Sequence, residues 1–388
     1  MTAPAPASAH ATQKAPIDLS RILNEMNGRR ASDAFVSVGA PVVIKVEGTL
    51  ESISPPITED QARTLVLSAM DDRQRASFEQ TREANYALGT GNSENRFRVS
   101  AFYQKGSPGM VLRRIESHIP SMADLQLPDI LAKMVMAKRG IVLFVGATGA
   151  GKSTSLAAMV QYRNHHSHGH IITIEDPIEY VHAHQGCVID QREVGVDTDN
   201  WETALKNTLR QAPDVILIGE VRTRETMEYA INFAETGHLV LCTLHANNAS
   251  QTIERIINFF PEDRHRQLLL DLSLNMQGLI AQQLVPTVDG ARRHAVVEVL
   301  TMTPRARELI RKGNVTELKG IMDTGNDGML TFDNELVRLH LEGIISQEEA
   351  MRHADSSGEV QQKIRLRRGG TDLDNLPAWS LSRDHDDR

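Results

Sequence analysis

Ile141-Val-Leu-Phe-Val145, then Gly146-Ala-Thr-Gly-Ala-Gly151-Lys152-Ser153, then Leu156-Ala-Ala-Met-Val160 is the stretch on which the reading of this chain turns. Five consecutive apolar residues suit a short strand covered on both faces, and the Leu/Ala/Met segment after them favours helix. The glycines between the two permit a tight turn. Residues 146–153 also fill every fixed position of the pattern G-x-x-x-x-G-K-[ST]. Strand, glycine loop and helix in that order turn the backbone N–H groups of Gly146, Ala147, Thr148, Gly149, Ala150, Gly151, Lys152, Ser153 and Thr154 toward an anion at a helix N-terminus. In this pattern Lys152 reaches β/γ-phosphate charge and the Ser153 hydroxyl is placed to ligate Mg²⁺, so the chain is expected to handle a nucleoside triphosphate.

Working outward, 388 residues with 40% hydrophobic content are enough for two or three cores. A net charge of −8 disfavours a protein whose main partner is a nucleic-acid backbone. No apolar run approaches the roughly 20 residues that span a bilayer, and the N-terminus lacks the charged start and apolar core of a secretory signal. Two cysteines, Cys187 and Cys242, build no disulfide framework, so a cytoplasmic location is expected.

Residues 1–16 are Ala/Pro-rich and read as a disordered leader. Residues 17–118 read as a small α+β domain. It has helices near Leu19–Met26 and Glu59–Met70, and strands at 34–38, 42–46, 96–102 and 109–115. Pro120 to Pro128 lies in an expected linker, 119–130. An ATPase core is expected over 131–285, where apolar runs at 141–145, 171–174, 215–218 and 239–243 alternate with helical segments in the manner of a parallel sheet. From about Asp263 the chain reads as consecutive helices, with a helical C-terminal part at 286–364 and a disordered polar tail at 365–388.

Each apolar run is followed at once by groups that phosphoryl transfer can use, and parallel sheets place ligands outside the carboxyl ends of their strands. Glu175-Asp-Pro-Ile-Glu179 follows the second run, Gly219-Glu220 the third, and Leu244-His245 the fourth. Glu220 has the position of a Walker B acid holding Mg²⁺ through water. Among Glu175, Asp176 and Glu179 we favour Glu179 as the carboxylate that orients the attacking water. His245, at the carboxyl end of its strand, is the candidate phosphate sensor, and His238 at the other end suits a subunit contact. The clusters His165-His-Ser-His-Gly-His170 and His182-Ala-His184 with Cys187 read as a polar connection and a surface loop rather than metal sites.

Four segments together resemble the secretion-type ATPases of type II secretion and type IV pili. They are Gly146 to Ser153, Thr173-Ile-Glu-Asp-Pro-Ile-Glu179, Arg210-Gln-Ala-Pro-Asp-Val-Ile-Leu-Ile-Gly-Glu-Val-Arg222 and Ala234-Glu-Thr-Gly-His-Leu-Val-Leu-Cys-Thr-Leu-His-Ala246. The chain looks like the retraction branch of that superfamily, the PilT/PilU family, because two cysteines cannot supply the tetracysteine zinc module of the extension members. Arg96 to Tyr103, Gly109 to Glu116, His184-Gln-Gly-Cys187 and Phe260-Pro-Glu-Asp-Arg-His265 resemble the PilU members more than the PilT ones.

The resemblance implies a RecA-like P-loop ATPase domain with a parallel-rich α/β sheet, preceded by a PAS-like α+β domain and followed by helices. It implies a homo-hexamer that hydrolyses ATP with Mg²⁺ to drive pilus retraction and twitching motility. It implies a PilT-like partner ATPase, an inner-membrane platform protein at the pilus base, and neither nucleic acid nor an integral membrane segment. It assigns catalytic roles to Glu179 and Glu220, matches His238 and His245 to a histidine box, and assigns phosphate-contacting roles to Arg98 and Arg113, with Arg222 a lesser candidate. Arg305-Ala-Arg-Glu-Leu-Ile-Arg311 replaces the Ala-Ile-Arg-Asn-Leu-Ile-Arg motif of PilT, so an accessory motor is expected. The alternatives are a PilT-type principal motor and a ring subunit that binds ATP without turnover.

Overall fold

A computed structural model describes residues 17–89, 96–116 and 118–368, in two compact units that divide between 117 and 118. The expected leader lies outside the described residues.

The first unit is a six-stranded antiparallel sheet with three helices. Its strands are β1 (Asp33–Val36), β2 (Pro41–Val46), β3 (Thr49–Pro56), β4 (Glu83–Leu88), β5 (Arg96–Gln104) and β6 (Ser107–Ile115), in the order β3-β2-β1-β6-β5-β4. Alternation along β5 sends Phe97, Val99 and Ala101 into the core, where they meet Ile22, Met26 and Phe78, and leaves Arg96, Arg98 and Ser100 on the other face. Strands β3 and β4 and the helix Asp72–Thr81 were not expected. That helix buries only Phe78, so it carries no apolar periodicity, and it is set instead by a capping box between Asp71 and Gln74.

The second unit is built on a seven-stranded sheet of β7 (Gly140–Val145), β8 (Gly169–Glu175), β9 (Cys187–Glu193), β10 (Val215–Ile218), β11 (Leu239–Leu244), β12 (Met276–Pro286) and β13 (Arg293–Thr301). Its order is β13-β12-β7-β11-β10-β8-β9, parallel throughout except for the β12–β13 pair. The four apolar runs occupy four adjacent central positions. Both faces of the sheet are covered, which is why their sequences run apolar without alternating: Ile141, Leu143 and Val145 enter one core while Val142 and Phe144 enter the other.

Three expectations are corrected here. Beyond Asp263 the helix Glu262–Asn275 is followed by β12 and β13, and helices resume only at Pro304. The run 276–286 hides its strand character behind Gly278, Gln282 and Gln283, polar residues that the sheet accommodates by pairing. Pro120 to Pro128 is not a free connector, since Met122 and Leu127 are buried in the second unit's core. The last helix, Ser357–Arg368, runs past residue 365, where the polar tail was expected to start; the remainder lies outside the described residues.

Candidate active site

The carboxyl ends of β7, β8, β10 and β11 converge on one cleft of about 630 Å³, lined among others by Lys152, Ser153, Glu175, Glu179, Glu220 and His245. Gly149 (φ +78°) and Gly151 (φ +82°) hold left-handed backbone that a side chain would strain. A Cβ at Gly146 would lie 2.5 Å from the Gln282 carbonyl oxygen, so the loop is pressed against β12. The Lys152 ammonium lies across the loop and donates to the carbonyls of Gly146 (2.7 Å) and Ala147 (2.9 Å). Burial holds its pKa below the ordinary lysine value, while Glu220 and Glu179 pull the other way. The helix Lys152–His166 begins without a side-chain cap, whereas Asn200, Thr223 and Asn248 cap the neighbouring helices. An uncapped N-terminus behind a glycine loop is a site for phosphate. Gly146 and Ala147 face an adjoining groove with His245 and Asn247.

Glu220 is held on both oxygens, by Arg222 Nη2 at 2.6 Å and by His245 Nε2 at 3.2 Å. The Thr243 hydroxyl donates to the Gly219 carbonyl and ties β11 to the end of β10. The Glu175 carboxyl sits deep although the residue as a whole is only partly buried. Burial pushes its pKa up to about 7, and hydrogen bonds from Thr173 Oγ1 (2.6 Å) and Gln191 Nε2 (3.2 Å) moderate the rise. Glu179 is exposed at the cleft. Tyr180 meets Thr154 at 2.8 Å, joining the acidic loop to the helix that follows the phosphate loop. Ser153 and Glu220 both line the cleft and offer the oxygen ligands that suit Mg²⁺.

The remaining residues lie elsewhere. His238 sits at the opposite end of β11, where its ring meets the Phe233 carbonyl and Thr236 Oγ1, each at 3.1 Å, so within one chain it has no place in the cleft. Arg98 and Arg113 belong to the first unit. They are directly opposed across β5 and β6 on its outer face, and Arg113 Nε is paired to Asp33 at 2.8 Å. Like charges in register oppose folding, and Asp33 offsets that only in part.

Two histidine clusters also differ from one another. His165 and His166 end a helix and His170 pairs with Asp190 at 3.0 Å. The expected surface loop at His182 to Cys187 holds for Ala183 to Gln185, which are exposed, but its ends are buried: Cys187 opens β9, and Asn164 pins the segment through the Ala183 carbonyl and the Cys187 N–H. Burial drives the His182 pKa down to about 4, which keeps the ring neutral.

Gln282 escaped the sequence reading altogether. This buried β12 residue accepts from Ser155 Oγ (2.8 Å) and donates to the Ala150 carbonyl (2.7 Å), bracing the phosphate loop from behind. The available signal is the pair Gln282-Gln283 inside an apolar stretch, which a helical reading of 276–286 assigns to a polar face.

A family model described as Type II/IV secretion system protein matches residues 9–371. The chain is 55% identical over 352 residues to the Type IV pilus ATPase PilU of Pseudomonas aeruginosa, a match that covers 90% of this chain and 92% of that one. It is 39% identical over 340 residues to the Type IV pilus retractation ATPase PilT of the same organism, covering 87% and 98% respectively. The crystal structure of the pilus retraction motor PilT with bound ADP superposes with a TM-score of 0.83 at 36% identity, over 89% of this chain and 99% of that one. Site, fold and relatives agree, and the chain belongs to the family of Type II/IV secretion system proteins.

Proposed function

We propose that this chain is an ATP-hydrolysing motor subunit of a type IV pilus machine, a PilU-like accessory to a PilT-like retraction ATPase. The observation that carries the reading is the convergence of four strand ends, each bearing a phosphate-handling or acidic group, around one uncapped helix N-terminus. Water attacks the γ-phosphorus in line, Glu179 orients it, and Lys152 stabilises the developing charge. Ser153 and, through water, Glu220 would hold Mg²⁺, which would supply positive charge for phosphoryl transfer. For Glu220 to serve it, the Arg222 pair on one oxygen would open while His245 keeps the other.

Further positive charge comes from Arg98 and Arg113, whose outward face suits action on a neighbouring subunit of a homo-hexamer. His238 then belongs to a subunit contact. A second assignment of the proton acceptor is favoured by the place of Glu175, whose carboxyl lines the same cleft and is raised by burial to about 7, the range that suits a general base at neutral pH. Among the described residues no helix is long and apolar enough to cross a membrane. Attachment to the inner membrane, from the cytoplasmic side, would therefore come from a platform protein at the pilus base.

The accessory assignment draws on Arg305 to Arg311. The departures from the PilT motif are Arg305, Ala306 and Glu308; Arg307, common to both, caps the preceding helix through the carbonyls of Ser273 (2.5 Å), Leu274 (3.2 Å) and Met276 (3.2 Å). The test is ATP hydrolysis by purified wild type, Lys152→Ala, Glu179→Gln and Glu175→Gln, with pilus retraction measured with and without the partner ATPase. Equal hydrolysis by wild type and Lys152→Ala sinks the motor reading. Full-force retraction by this chain alone sinks the accessory assignment. Whichever glutamine variant loses the larger factor in kcat identifies the carboxylate that handles the water.

A further inference from the structure

The four residues His245-Ala-Asn-Asn248 leave β11 at Glu220 and enter the helix Ala249–Asn258. The far end of this short loop is held by groups that no step above uses. Glu298 Oε1 accepts the Ala249 N–H at 2.7 Å, and Glu298 is 3% exposed on β13 within the apolar run Val296-Val-Glu-Val-Leu300. The Asn248 side chain lies beside the Asp355 carboxylate and helps to hold its charge, and its oxygen caps the helix at Gln251 N, 3.0 Å away.

Asp355 is in turn fixed by the C-terminal helices. Its N–H donates to fully buried Asp333 at 2.8 Å, and Lys319 spans Asp333 (3.0 Å) and Asp355 (3.8 Å). Asp333 and Asp355 therefore share one ammonium, and buried Glu298 lies close enough to feel all three charges. Burial raises Glu298 to about 7 and pushes Asp355 upward as well. An apolar residue at 298 would serve the core at less cost, because an ionisable group buried with incomplete compensation is destabilising. What the carboxylate does that an apolar residue cannot is grip the first N–H of the helix behind the histidine loop.

We propose that Glu298 and Asp355 are positioning residues for ATP hydrolysis, clamping the far end of the His245–Asn248 loop so that His245 stays on Glu220. The inference rests on the assignment of Glu220 and His245 to the active site. It makes the C-terminal helices, through Asp355, part of what sets the catalytic loop.

The experiment compares full-length wild type, Glu298→Met, Asp355→Ala, His245→Ala and the two doubles with His245→Ala, since a glutamine or asparagine would keep an accepting oxygen. Fluorescent ADP reports nucleotide affinity and steady-state assays give kcat and KM for ATP. Each clamp variant is expected to lower kcat about tenfold while the Kd for ADP and the KM stay within about threefold. Each double is expected to fall no further than His245→Ala alone, because all three residues act through one position. Multiplicative loss in the doubles overturns the proposal, as does unchanged kcat in both clamp variants or a parallel loss of ADP binding. Where Glu298→Met lowers folding yield, Asp355→Ala decides by the same criteria, since the Asp355 side chain is partly exposed. Wild-type turnover in His245→Ala beside a dead Lys152→Ala overturns this inference and leaves the ATPase standing, whereas an active Lys152→Ala removes the active-site assignment itself.

Discussion

Replacing Gln282 by Leu removes both bonds that brace the phosphate loop while keeping the side chain's approximate volume. Its two partners, the Ala150 carbonyl and the Ser155 hydroxyl, are buried and have little access to water. A buried group stripped of its partner costs about 1–3 kcal/mol, so the pair accounts for roughly 3 kcal/mol of local order at the low-to-middle of that range. The nucleotide requires the loop in its braced form, because Gly146 and Gly151 already lie against Gln282. If about half of that free energy must be supplied again on binding, affinity falls by about tenfold. Titration with a fluorescent ADP analogue, beside urea unfolding, separates the two parts. Ser155→Ala, which loses one bond, should lose about threefold in affinity. Gln282→Glu should lose more than Leu does, because it keeps the Ser155 bond but sets negative charge against the Ala150 carbonyl and the incoming phosphates. A Gln282→Leu protein with wild-type affinity and lowered stability would refute the reasoning, since the bonds would then serve the fold and not the loop.

Other outcomes follow from the same geometry. Glu175 has a folded pKa of about 7 against an ordinary value of 4.5, so the folded protein binds the proton more tightly. Its contribution is fully present below about pH 4.5 and is lost as pH rises to 7, by about 3 kcal/mol. Glu175→Gln should therefore be more stable than wild type by about that amount at pH 8 and nearly equal at about pH 4, and a pH-independent difference in urea unfolding would count against it. Gly151→Ala places a Cβ 2.8 Å from Gln282 Nε2 at φ +82°, and nucleotide affinity should fall at least tenfold in the same titration. If Arg98 and Arg113 act across a subunit boundary, mixing inactive Arg113→Ala with inactive Lys152→Ala should restore part of the ATPase rate, because some interfaces then pair an intact loop with an intact arginine. No recovery on mixing, with both variants assembled, would place the arginines outside the reaction.

What could be read from sequence and what could not divide along a physical line. Gly146 to Ser153, Glu175, Glu220 and His245 were legible because each follows an apolar run, and a parallel sheet brings the ends of such runs to one side whatever the loops between them do. Chemistry attached to a strand end inherits its place from the sheet. Gln282 and Glu298 carry no such label. Each interrupts an apolar strand, and in isolation an interruption reads as a loop or as the polar face of a helix, which is how β12 came to be mistaken. Their meaning is held by partners more than forty residues away, Ser155 for one and Ala249 for the other. His238 obeys the same rule from the other side: it precedes its apolar run, and the sheet holds it at the end away from the cleft. Both buried polar residues also lie on the two strands that extend the sheet past the phosphate loop, so this edge does more than cover the core. Through Gln282 it sets the loop that receives the phosphates and through Glu298 the loop that carries His245, and a displacement of β12 and β13 would disturb both sides of the cleft together.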